Sequence, residues 1–187
     1  TESFERLSTT DGIVAIQGEQ GGFNEISVNG GRPENQRGEG IGNGHPALSD
    51  IEFRKAIAHA IDKQTLVDRV NAGIGRPGTT VSPSPNPEWI PEIPEADQFL
   101  FDLDKAREIL DAAGYKDTNG NGIREMPGGG DDITLDYVVR SESQSAPGDA
   151  EFVSGWLEEV GIGTKLRTVN DATLTEIIGK GDYDLFE

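Results

Sequence analysis

The chain has 187 residues, with 16 Lys and Arg against 34 Asp and Glu, a formal net charge of −18 and no cysteine. The length suits one domain or two small ones with a sizeable core, while the charge argues against nucleic acid and anionic membrane surfaces as partners. Without cysteine there are no disulfides, iron–sulfur clusters or thiolate zinc; with two His a transition-metal centre has few ligands, and no apolar run nears the roughly 18 residues of a membrane span.

In chain order, Asp11-Gly12 precedes Ile13-Val14-Ala15-Ile16, and Gly21-Gly22 precedes Phe23–Val28, where Ile26 and Val28 alternate with polar neighbours. This predicts two strands joined by a Gly-rich turn. Gly30 to Gly44 holds six glycines and almost no apolar side chains, which reads as a flexible loop over 30–44. Asp50 is placed to cap a helix whose apolar face is Ile51, Phe53, Ala56, Ile57, Ala60 and Ile61. Asp62 then caps a short helix with Leu66, Val67 and Val70 inward and Gly73 as its stop. Six prolines between Gly75 and Pro94 exclude a helix or a central strand there. The Pro-rich segment 75–97 is therefore expected to run extended over a surface, anchored by Trp89 and Ile90.

Asp102 or Asp104 starts the next helix, with Leu103, Ala106, Ile109, Leu110 and Ala113 as its buried stripe and Gly114 as its stop. A turn-rich loop covers 116–132. Beyond it, Ile133, Leu135, Tyr137 and Val139 alternate as a strand, and Phe152, Val153, Trp156, Leu157 and Val160 form an amphipathic helix ending at Gly161. A strand at Thr164–Val169, a short helix capped by Asp171 and a strand at Tyr183–Phe186 complete a β-α-β-α-β order. That order implies an α/β fold, a sheet covered by helices with parallel pairing across the crossovers. The opening lacks a signal-peptide pattern and the chain closes directly after an apolar strand, so a fragment of a longer protein is expected.

Catalytic machinery is sparse. His45 lies in the Gly-rich loop and His59 at the edge of a helix's apolar face, and neither is placed as a general base. Close acid pairs are expected by chance among 34 acids, so no glycosidase-type pair stands out. Gly38, Gly40, Gly42 and Gly44 repeat at every second residue without the Lys-Ser/Thr of a phosphate cradle. The pattern with a mechanism of its own is Asp117-Thr-Asn119-Gly-Asn121-Gly122-Ile123-Arg-Glu125. Oxygen side chains at loop positions 1, 3 and 5, Gly at 6 and the Ile123 carbonyl at 7 are how an EF-hand-type loop wraps calcium, with Glu125 at position 9. Position 12, which should be a bidentate Glu, is Gly128, with Asp131 or Asp132 as substitutes. Against a calcium site stands a mechanical alternative, in which Asn-Gly dipeptides make tight turns and Asx side chains bond their own backbone. Both readings stay open on the sequence.

Four segments have a family look when taken together: His45-Pro-Ala-Leu-Ser-Asp-Ile-Glu-Phe-Arg-Lys-Ala-Ile-Ala-His-Ala-Ile-Asp-Lys63, Phe101-Asp-Leu-Asp-Lys-Ala-Arg-Glu-Ile-Leu-Asp-Ala-Ala-Gly-Tyr115, Trp156-Leu-Glu-Glu-Val-Gly-Ile162 and Gly179-Lys-Gly-Asp-Tyr-Asp-Leu185. In this order and spacing they resemble the family-5 extracellular solute-binding proteins, the oligopeptide-, dipeptide- and nickel-type receptors of ABC importers. The resemblance implies a type II periplasmic-binding-protein-like lobe, a mixed sheet flanked by helices, with residues 1–187 as most of the second lobe of a two-lobed receptor. It further implies a peptide or similar small solute as ligand, the membrane permease of an ABC importer as partner, and a monomer at the cell envelope, periplasmic or extracellular. No enzyme activity, required cofactor, nucleic acid or direct membrane insertion goes with it. In the family an Asn ending the strand before the helix motif lies near the cleft; the matching position is Asn29, with Ser27, Val28 and Gly30 beside it. The alternatives of a different class are a calcium-dependent interaction module on Asp117–Glu125 and a carboxylate-based hydrolase.

Overall fold

The computed structural model describes residues 2–16, 22–30, 42–80, 88 and 90–187. The chain divides into two compact units, one of Thr1–Asn24 and Lys63–Gln98 and a larger one of Glu25–Asp62 and Phe99–Glu187.

The larger unit is built on a four-stranded mixed sheet. Its strands are β1 (Ser27–Val28), β2 (Thr134–Arg140), β3 (Gly163–Val169) and β4 (Leu185–Phe186), in the order β1-β4-β2-β3. β2 runs parallel to β3 from Thr134↔Gly163 to Arg140↔Val169, and parallel to β4, while β1 is antiparallel to β4. The predicted β-α-β-α-β order is thus present, with α5 (Ala146–Glu159) and α6 (Asp171–Lys180) as the crossovers. Ala146, Ala150, Val153 and Leu157 recur at helical spacing on α5 and are buried against β2 and β3. On β2, Leu135, Tyr137 and Val139 share one face of the pleat. Val138 faces the other way and packs with Leu174 and Ile177 of α6, beside Val169, Tyr183 and Phe186. Both faces of this strand are therefore covered around Val138, where the alternation gives way to the apolar run Tyr137-Val138-Val139.

Two further helices pack on each other in this unit, α2 (Ile51–Ala60) and α4 (Leu103–Ala112). Asp50 caps α2 by accepting from Glu52 N at 2.9 Å, and Asp102 caps α4 by accepting from Lys105 N at 2.8 Å. Phe53, Ala56, Ile57 and Ala60 of α2 and Ala106 and Leu110 of α4 are buried, while Ile51 lies exposed. Tyr115, just past the positive-φ stop at Gly114, packs its ring 4.9 Å from that of Phe53 and donates its hydroxyl to Asp50 Oδ2 at 3.1 Å.

Several local expectations change. In the smaller unit Ile13–Ile16 forms no strand; Val14 is 86% exposed, and a strand needs a partner that the described residues do not supply. A short helix, α1 (Glu2–Ser8), precedes it instead. Of the predicted strand over 23–28 only Ser27–Val28 pairs, and Phe23 is exposed. The helix after Asp62 is α3 (Lys63–Thr65), continued by a π-type turn over Leu66–Val70 whose Leu66, Val67 and Val70 are half-buried. The Gly73 amide bonds Val67 O at 2.9 Å and ends it with φ +73°. Over the described part of the Pro-rich segment there is no α-helix or strand; Ile90 is half-buried, and Trp89 lies outside the described residues. α5 starts at Ala146, a turn and a half before its first large apolar residue, because Pro147 suits a helix's first turn. The cap of α6 is Asn170, not Asp171.

Candidate functional site

The residues expected near a ligand, Ser27, Val28, Asn29 and Gly30, lie at and just after β1. Val28 pairs with Leu185. Ser27 Oγ donates to Glu25 Oε1 at 3.3 Å. Asn29 is 9% exposed, its main-chain N bonds Asp184 O at 2.9 Å, and both its amide hydrogens are used inside the protein, on Tyr183 O at 2.8 Å and Gly181 O at 3.3 Å. Gly30 is exposed, with open space where a Cβ would stand.

The same corner receives the far end of the Gly-rich segment. Asn43 N bonds Gly181 O at 3.1 Å, so Gly181 O accepts from both Asn29 and Asn43. Asp184 is 7% exposed; one carboxylate oxygen accepts from His45 N and the other from Asp136 N at 2.7 Å. A Cβ on Gly44 would stand 2.7 Å from the Asn29 side chain, and one on Gly42 2.6 Å from Gly181 O. Only glycine lets the strand of chain lie this close. Residues 31–41 of the segment read as a flexible loop lie outside the described residues, whereas Gly42–Gly44 are bonded down on the α6–β4 turn. His45 Nδ1 accepts from Ala47 N at 3.2 Å, and burial holds the imidazole below its ordinary pKa against the pull of Asp184.

In the Asx loop, Asp117 Oδ1 accepts from Gly120 N at 2.7 Å and Asn121 N at 3.2 Å, and Oδ2 from Gly122 N at 2.9 Å. These amides, the Gly122 one foremost, hold the Asp117 carboxyl below the usual range. Asn119 Oδ1 accepts from Asn121 N at 2.9 Å and Asn121 Oδ1 from Ile123 N at 2.8 Å, while their amide groups donate to the two oxygens of Asp132. Glu125, 2% exposed, accepts from Thr118 N at 2.8 Å. The residues of the calcium pattern are thus brought together, but as a self-bonded Asx turn. Among the described residues no three His, Asp or Glu side chains converge as metal ligands. Sequence reasoning passed over Arg124, which donates to Val160 O at 2.7 Å, Tyr115 O at 2.6 Å and Asp111 Oδ1 at 2.5 Å. An arginine flanked by Glu and Ile in a turn gives no sign in sequence of the three partners it reaches.

The carboxyl ends of the parallel strands gather at the other end of the sheet from Asn29, which is level with Asp184 and Asp136. There Ser141 N bonds Val169 O at 2.8 Å and Arg140 N bonds Glu187 O at 3.0 Å. Arg140 forks onto both carboxylate oxygens of Asp171, with Nη2–Oδ2 at 2.6 Å, and Ser143 Oγ accepts from Ala146 N at 3.1 Å at the start of α5. This edge presents two helix starts and the exposed Ser141 and Glu142.

A family model described as bacterial extracellular solute-binding proteins, family 5 Middle, matches residues 1–187. The oligopeptide-binding protein AppA of Bacillus subtilis is 28% identical over 138 residues, 73% of this chain and 25% of that protein. The periplasmic alpha-galactoside-binding protein of Rhizobium meliloti is 27% identical over 126 residues, 65% of this chain and 18% of that protein. Among solved structures, the periplasmic oligopeptide-binding protein of an oligopeptide ABC transporter from Thermotoga maritima matches with TM-score 0.72 at 24% identity, over 86% of this chain and 28% of that one. NikA from Brucella suis, in complex with Fe(III)-EDTA, matches with TM-score 0.68 at 23% identity, over 99% and 34%. These structural likenesses carry the fold. The chain spans about a quarter of the length of AppA.

Proposed function

We propose that this chain, which belongs to the bacterial extracellular solute-binding proteins of family 5, forms most of one lobe of the substrate-capture component of an ABC importer. Its solute is a peptide or a small molecule of similar size, its partner is a membrane permease, and it works in the periplasm or outside the cell as a monomer. The reading assigns it no catalysis and no required cofactor. The observation that carries it is the match of the family model along the whole chain, on a mixed sheet flanked by helices. Among the described residues no helix is long and apolar enough to cross a membrane.

A receptor of this kind holds its ligand between two lobes and closes when the ligand bridges them. Peptides are held by main-chain pairing with strand edges together with tolerant side-chain pockets. We assign the exposed main chain at Gly30, with Ser27 and Val28 of β1, to the ligand side, and Asn29 to positioning that strand end. One lobe offers half the contacts, so this chain alone is expected to bind solute very weakly. Calorimetric titration of the intact receptor with a mixed peptide pool, and of this chain with the same pool, tests both statements. Heat with the intact receptor and none with the chain is expected. Binding of a galactoside in place of peptides would move the substrate class, and micromolar peptide binding by the chain alone would overturn the one-lobe reading.

A further inference from the structure

Four Asn-Gly steps stand in the chain, at Asn29, Asn43, Asn119 and Asn121, and the last two follow one another in the Asx loop. Such a step can react with its own side chain. The glycine nitrogen gives up its proton and attacks Asn Cγ; the Cγ–Nδ2 bond breaks, ammonia leaves with the proton, and a succinimide ring closes. Water then opens the ring at either carbonyl and leaves Asp or isoaspartate. Glycine favours the attack, because it has no Cβ to crowd the ring. Residues 117–122 are all exposed, so water reaches both steps of the loop and burial does not protect them.

What stands in the way is Asp117. Its carboxylate takes the attacking nitrogen of each step, Oδ1 accepting from Gly120 N at 2.7 Å and Oδ2 from Gly122 N at 2.9 Å. An amide so placed has its hydrogen held by a charged acceptor and its nitrogen beside a negative charge. Both oppose loss of the proton that makes it a nucleophile. The acid is ionised wherever the ring could close, because these amides hold its carboxyl below the usual range. The attacked groups are fixed as well. Asn119 Oδ1 accepts from Asn121 N at 2.9 Å and Asn121 Oδ1 from Ile123 N at 2.8 Å. Their Nδ2 groups donate to Asp132, at 2.9 Å for Asn119 and 2.6 Å for Asn121, so each side chain is held at both ends of its amide.

We propose that Asn119 and Asn121 are latent deamidation sites, which Asp117 keeps closed by holding the Gly120 and Gly122 amides. Conversion of either one sets a carboxylate where an amide had donated to Asp132, and the loop loses a bond and gains a like-charge contact. The loop's turn chemistry is in this reading a guard on its own covalent integrity, independent of what the protein binds.

The test is incubation in mildly alkaline buffer followed by peptide mapping with mass spectrometry, isoaspartate being the diagnostic product. Asn119 and Asn121 of the folded wild type should convert about tenfold more slowly than in the same protein unfolded in guanidinium chloride. Asp117→Ala should raise conversion of both in the folded protein by about tenfold. Asn29 and Asn43, whose side chains are bonded to Gly181, Tyr183 and Asp182, should keep the wild-type rate in that variant. Asp132→Ala frees the Asn amides but leaves the glycine nitrogens on Asp117, and should speed conversion less. Should Asp117→Ala not fold, Asp117→Asn keeps the shape with one acceptor oxygen and no charge, and must raise conversion at one or both steps of the loop. Equal rates in folded and unfolded wild type, no rise in the folded Asp117 variant, or Asp132→Ala as fast as Asp117→Ala overturns the proposal.

Discussion

Arg124 shows how much a single side chain can hold in this fold. Its guanidinium side chain is 12% exposed and reaches the end of α4 through Asp111, the next residues through Tyr115 O, and the α5–β3 corner through Val160 O. Arg124→Ala leaves two inward carbonyls without donors and should cost about 2–4 kcal/mol in a urea melt. Arg124→Lys should recover only part, because a point ammonium cannot span three partners set in a fork; full recovery would show that charge alone matters. His45 makes the opposite kind of statement, about pH. Its Nδ1 accepts the Ala47 amide, which a protonated imidazole cannot do, and burial keeps its pKa below 6.5. The unfolded state then binds the proton more readily, so stability contributed here is present above 6.5 and is lost as pH falls below it. His45→Asn keeps an acceptor that does not titrate. Melts from pH 7 to about 5 should fall less steeply for the variant than for wild type, and parallel curves would remove His45 from the account.

Among the elements, α6 shows best how sequence and structure divide the work. Asn170 and Asp171 are both good capping residues, and periodicity alone does not choose between them. Arg140, across the sheet edge, takes the Asp171 carboxylate, while Asn170 Oδ1 accepts from Thr173 N at 2.9 Å. Asn170→Ala should therefore cost about 1 kcal/mol through the lost cap. Asp171→Ala acts through an exposed ion pair and should cost less, within about 1 kcal/mol. Equal losses in chemical denaturation, or a larger one at Asp171, would reverse the assignment. α2 and α4 were legible in outline, since Asp50 precedes one strong apolar stripe, Asp102 or Asp104 the other, and Gly114 follows α4; the structure chose Asp102 and left Ile51 exposed. Ile13–Ile16 was not: its β-branched run states a local preference, but a strand is defined by its neighbour.

For the whole molecule, the four ordered motifs pointed to the family that the match along the full chain establishes. The Asx loop adds a testable property at this scale. Its Asp117 and Glu125 carboxylates and the Asn119 and Asn121 carbonyls already accept main-chain amides, and the Asn amides occupy Asp132. Calcium in excess, or a chelator, is thus expected to leave the melting temperature within about 1 °C, because an ion that does not favour the folded state cannot stabilise it. A rise of several degrees with calcium would restore the metal site.

By itself the sequence determined what depends on neighbours along the chain: the α/β class, the capped helices α2 and α4, the alternation of β2 and the motif order that marks the family. Spacing of apolar side chains and the chemistry of caps and stops act within a turn or two, so they are written locally. Only the tertiary structure decided which partner each polar group takes. It joined Asn29 to Gly181 and Tyr183, brought Arg124 to Val160, and tied Arg140 to Asp171. Those pairs are far apart in sequence, and each forms because a buried donor or acceptor must be satisfied by whatever packing brings beside it.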